Sequence, residues 1–121
     1  MRLAATLQAM RHGPGALPAR EVVRMATRGG ARALGLDADI GAITVGRKAD
    51  LVVVAAGTLH QAPAEDIYAR LVYSARPDDV RLTIVDGRVF HEGGGPSWAD
   101  PADLVADARQ ARARLVSRAG L

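Results

Sequence analysis

The chain has 121 residues, enough for one domain, and it is apolar but poor in rings, with 49% hydrophobic and only 3% aromatic residues. A core built from Ala, Val, Leu and Ile is thin, since one buried aromatic alone covers about 150–250 Å², and such a composition suits a piece that packs against something else. The absence of cysteine excludes disulfides and thiolate metal sites. The net charge of +3 arises from sixteen basic residues dispersed among thirteen acids, not from the concentrated basic face of a nucleic-acid module.

No run approaches the roughly 20 apolar residues of a membrane span, and Met1-Arg2-Leu3 does not open a signal peptide. The expectation is a soluble cytoplasmic protein with neither nucleic acid nor membrane as partner. In chain order, Leu3, Leu7 and Met10 stand at helical spacing and predict a short helix over 2–11, broken by His12-Gly13-Pro14-Gly15. A second helix starts near Pro18, whose missing N–H costs nothing in a first turn, and it gathers Val22, Val23, Ala26 and Gly30 on one side. Gly29-Gly30 either interrupts this helix or lets its backbone approach a neighbour, and Gly35 stops it.

From residue 40 the period becomes extended. Ile43 and Val45 are short-strand candidates, Gly46 turns the chain, and Leu51 to Val54 reads as a strand buried on both faces. Residues 57–63 read as loop, and Glu65 to Ser74 as a short helix with Ile67 and Leu71 one turn apart. Val80 to Val85, Asp86-Gly87 and Arg88 to His91 spell a hairpin, because Asp-Gly suits a type I′ turn in which both central residues have positive φ. Gly93 to Pro96 reads as a linker.

The last element is a helix capped by Asp100, with Pro101 at its first position and Asp103 in its first turn. Leu104, Ala108, Ala111 and Leu115 make a narrow apolar stripe. Acids come early and Arg109, Arg112, Arg114 and Arg118 late, as the helix dipole favours. This is a docking helix rather than a chemical one.

Chemistry-bearing patterns are missing. His12, His60 and His91 have no second histidine or carboxylate at a ligand spacing, Glu65 and Asp66 precede no metal pattern, and each histidine is expected to be structural or exposed. Ser74, Ser97 and Ser117 lie outside any G-x-S-x-G setting. Gly41 and Gly46 followed by Arg47-Lys48 superficially suggest a phosphate loop. Such a loop opens a helix, whereas here a strand of valines follows. Catalytic and metal-binding residues are both assigned as none.

Three stretches, "ATRGGARALGL", "DADIGAITVGRKADLVVV" and "VRLTIVDGRVFHEGG", together resemble the metal-dependent amidohydrolase superfamily. "ARLVYSA", residues 69–75, narrows the resemblance to its chlorohydrolase and nucleobase-deaminase branch. The resemblance implies an α+β piece: the last helices of a (β/α)8 barrel over 1–37, the returning part of a composite β-sandwich with one short helix over 38–95, and a C-terminal docking helix over 96–121. It implies structural roles for Gly41, Gly46, Lys48, Ala49, Asp50, Asp86 and Gly87. Arg47 and Lys48 would keep the corner solvated, and Asp50 would bond nearby N–H groups as the strand begins.

The family's usual Gly-Lys is here Gly46-Arg47 followed by Lys48. Its members hold one or two divalent metals, zinc or iron, through an H-x-H, two later histidines and an aspartate, and the metal activates water for hydrolysis of a heterocycle's C–N or C–Cl bond. None of those ligands can be matched here. The expectation is therefore a fragment of such an enzyme, inactive alone, binding no cofactor itself and lacking an N-terminal barrel that belongs to the same gene or to a separate chain. The alternatives are a non-catalytic helper subunit that completes a separate barrel, or an independent binding module. Homo-oligomer formation stays open.

Overall fold

The computed structural model describes residues 1–120. It is an α+β arrangement with two helices first, a small antiparallel sheet in the middle and a long helix last. Helix α1 is Arg2–His12. Helix α2 runs over 19–33 without a break, as Ala19–Arg24, a wider π-type turn at Met25–Gly29, and Gly30–Ala33. Gly29 and Gly30 keep helical dihedrals, so they do not interrupt it. Pro18 stands just outside the first turn and not within it.

The end of α2 follows from Gly35. At φ 70° it takes the left-handed conformation that a side chain disfavours, and the chain folds back so that Leu36 N–H donates to the Ala31 carbonyl at 2.9 Å and Gly35 N–H to Arg32 at 3.0 Å. Helix α3 covers 67–74, from Ile67–Ala69 into the π-type turn Arg70–Ser74. Asp66 caps it by accepting from Tyr68 N–H at 3.0 Å.

These helices hold the core. Ala5 of α1, Val22 of α2 and Val72 of α3 are buried together, with Leu17, Ala19 and Val23 packed around them. The residues are small, as the scarcity of rings requires. The face of α1 that packs carries Ala5, while Leu3, Leu7 and Met10 are exposed. Arg20 lies over the Tyr68 ring, 5.8 Å from its centroid, and adds a cation–π contact between α2 and α3.

The sheet is a four-stranded meander in the order β1-β2-β3-β4, all antiparallel: β1 Leu51–Val54, β2 Val80–Val85, β3 Arg88–Glu92 and β4 Gly95–Pro96. Residues 93–96 are more than a linker, since Gly95 and Pro96 pair with Glu92 and His91. Strand β1 is not buried on both faces, because Val52 and Val53 are exposed. A β-branched run fixes an extended backbone, whereas burial needs a second layer.

Ile43 and Val45 form no strand. They lie in an exposed turn between Gly41 and Gly46, whose φ values of 88° and 89° reverse the chain twice within six residues. Helix α4, Pro101–Ala119, has Asp100 accepting from Ala102 N–H at 2.8 Å and Gly120 at φ 70° past its end. No side chain of it is buried among the described residues. Leu104 and Val116 are half-buried and its other side chains are exposed.

Candidate functional site

Two clusters of interacting polar groups stand out. The first joins the two halves of the motif. Segment 46–50 runs beside the β2–β3 turn, where Ala49 carbonyl accepts from Gly87 N–H at 3.1 Å and Asp50 Oδ1 accepts from Asp86 N–H at 2.6 Å. Lys48 Nζ lies 4.0 Å from Asp86 Oδ1, an exposed pair of small energetic value. Asp86 at φ 49° and Gly87 at φ 78° supply the positive pair that the tight turn needs. The Asp50 carboxylate thus binds a turn 36 residues away rather than its own strand start.

Gly41 sets this segment against α2. A Cβ built there would meet Ala31 Cβ at 2.8 Å, Arg28 Cα at 3.2 Å and Thr27 O at 3.2 Å, so the close backbone approach belongs to Gly41 and not to Gly29-Gly30. Gly46 has open space around it and needs glycine for its φ alone.

Arg47 does not merely solvate the corner. Its Nη1 donates to the Asp37 carbonyl at 2.5 Å and to the Ile40 carbonyl at 2.7 Å, acceptors left over where α2 gives way to the turn. A planar guanidinium suits two carbonyls at once. Arg47→Ala is expected to cost about 1–2 kcal/mol in urea unfolding, and Arg47→Lys to recover less than half of that loss. An alanine variant as stable as the parent would remove Arg47 from this role.

The second cluster was not legible from spacing. Asp79, 3% exposed, accepts at Oδ2 from Arg76 N–H at 2.8 Å, from His60 Nε2 at 2.8 Å and from Gln61 Nε2 at 3.0 Å. Gln61, 2% exposed, also donates to the Ala55 carbonyl at 2.9 Å, and Ala55 N–H donates to the Asp79 carbonyl at 2.7 Å. The turns Leu59–Gln61 and Pro77–Asp79 are thereby fastened to the end of β1. These hydrogen bonds, the Arg76 N–H first and His60 next, hold the Asp79 carboxyl down at about 2, against the opposing effect of burial. The available hint was Pro77-Asp78-Asp79 immediately before a strand.

This cluster is not a catalytic relay. Thr58 Oγ1 and Asp79 both face the same His60 nitrogen, at 3.3 and 2.8 Å, whereas a nucleophile–base–acid chain uses the two ring nitrogens separately. Nor do the residues present fit the divalent ion that the resemblance implies. Among the described residues no group of three or more His, Cys, Asp or Glu could hold one, and Asp79 Oδ2 already accepts from three donors. His12 ends α1 and His91 sits on β3 opposite Thr83. The recess between β1 and α3, lined by Val54, Gln61, Ile67 and Leu71, holds about 20 Å³, and an open one at the end of α2, lined by Arg28, Arg32, Asp37 and Arg47, about 260 Å³. Substrate pockets are typically about 300–1,000 Å³.

The amidohydrolase family model matches residues 1–90. A 5-methylthioadenosine/S-adenosylhomocysteine deaminase from Symbiobacterium thermophilum is 41% identical over 103 residues, 85% of this chain and 24% of that protein. Among solved structures, a zinc-bound adenosine deaminase from Xanthomonas campestris superposes with TM-score 0.87 at 38% identity, covering 96% of this chain and 27% of its own. Atrazine chlorohydrolase from Arthrobacter aurescens, solved with zinc, gives TM-score 0.79 at 34% identity over 90% of this chain and 24% of its own. The chain thus spans about a quarter of the length of the relatives it matches. The quoted stretches of sequence, the segment they build around Gly41 and Asp86-Gly87, and the match over residues 1–90 together make this chain a member of the amidohydrolase family.

Proposed function

We propose that this chain is the closing segment of a metal-dependent hydrolase of the deaminase and chlorohydrolase type, acting on a C–N or C–Cl bond of a heterocyclic substrate. The observation that carries this reading is the superposition of nearly the whole chain on zinc-bound relatives named for those two chemistries, each about four times as long. Residues 1–37 would belong to the outer helices of a (β/α)8 barrel, 38–95 to the returning part of a β-sandwich, and 96–121 to a docking helix. The catalytic ligands and the divalent metal, zinc or iron, belong to the barrel. Its source is the same gene or a separate chain, and its compartment the cytoplasm. Gly41, Gly46, Lys48, Ala49, Asp50, Asp86 and Gly87 contribute architecture alone.

The exposed apolar residues support this assignment. Leu3, Leu7, Met10 and Met25 on the N-terminal helices, with Val52 and Val53 on β1, are half or more uncovered or close to it, as expected of surfaces built to meet another layer. The purified 121-residue chain is expected to deaminate no adenosine-like substrate and to dechlorinate no triazine above background. It is also expected to carry no stoichiometric zinc or iron by elemental analysis. Mixing it with a barrel lacking its own closing segment is expected to restore metal-dependent turnover. Turnover by the chain alone would overturn the proposal, and turnover only with a separately encoded barrel would identify the helper-subunit form of it.

A further inference from the structure

Helix α4 lies beyond the residues matched by the family model, and among the described residues none of its side chains is fully buried, with Leu104 and Val116 half-buried and the rest exposed. Its Leu115 is 65% exposed. Leu104, Ala108, Ala111 and Leu115 follow one another at intervals of four, three and four, the seam of a two-helix coil, with the two smallest residues at the middle where a partner backbone can come close. The charges divide along the axis: both acids, Asp103 and Asp107, lie in the first half with Arg109, while the second half carries Arg112, Arg114 and Arg118 and no acid. A helix so divided complements a reversed copy of itself.

We propose that α4 pairs antiparallel with α4 of a second copy of this chain, about a two-fold axis passing midway between Ala108 and Ala111. Leu104 then packs against Leu115 of the partner subunit, and Ala108 against Ala111 of the partner subunit. Asp107 flanks the seam beside Arg114 of the partner subunit, and symmetry repeats every contact. Antiparallel pairing also sets opposite ends of the two helix dipoles together, while a parallel pair would align acid with acid and arginine with arginine. Within one copy Arg114 Nη2 donates to Gln110 Oε1 at 2.6 Å, which leaves guanidinium donors for a carboxylate.

Charge reversal tests the pairing without touching the core, because both charged positions are exposed. Sedimentation equilibrium of the 121-residue chain is expected to show a reversible monomer–dimer equilibrium. Asp107→Arg and Arg114→Asp should each weaken it about tenfold or more, since each places like charges together twice. The double variant should regain the parental association, and so should an equimolar mixture of the two single variants. Ser117→Cys, which gives the chain its sole thiol, should place spin labels about 25 Å apart at 1.5 Å rise per residue from the axis. A strictly monomeric chain, single variants that associate like the parent, a mixture that fails to recover, or labels within about 12 Å would each overturn the proposal.

Discussion

Replacing Gly41 with valine is expected to destabilise the chain by about 3 kcal/mol or more and to release segment 37–50 from α2. Two effects add. At φ 88° the residue is in the left-handed region, which a β-branched side chain tolerates poorly. Its Cβ would also lie 2.8 Å from Ala31 Cβ and 3.2 Å from both Arg28 Cα and Thr27 O. Two of those three atoms are helix backbone, which cannot rotate aside. Gly41→Ala should show the same effect at smaller size, and adding Ala31→Gly should restore only part of it, because the backbone contacts persist. Urea unfolding measures the loss, and faster amide exchange at Asp50 and Asp86 reports the detachment of the clamp. A valine variant with parental stability would mean that the loop sits elsewhere.

Asp79→Ala should lower Tm by roughly 5–15 °C, because the Gln61 amide and the Arg76 N–H both lose their shared acceptor where Asp79 and Gln61 are themselves buried. Asp79→Asn should fall between the two, since its amide oxygen can take the place of Oδ2 but meets the three donors without a charge. The acid dependence has a defined sign. The Asp79 carboxyl moves from an ordinary 3.8 down to about 2 on folding, so between those values the unfolded chain binds more protons than the folded one. The stabilisation it contributes is complete above 3.8 and disappears as pH falls through about 2. Unfolding free energies from pH 6 down to 2 should therefore slope more steeply in the parent than in Asp79→Asn. Parallel slopes would remove Asp79 from this linkage.

Sequence by itself determined the local elements. Gly35 ends α2, Asp100 caps the last helix, and Asp86-Gly87 closes the hairpin, because each depends on the conformational preference of one or two residues. The family was also legible, since its motif lies in contiguous runs. Three features were decided only by tertiary structure. The partnership of His60 and Asp79 spans 19 residues, and no local rule brings them together. Arg47 turned inward because the end of α2 left two carbonyls within reach of one guanidinium. The exposure of Val52 and Val53 could not be read from their chemistry either. An apolar run encodes readiness for burial, but the covering layer must come from elsewhere, and among the described residues none lies over them.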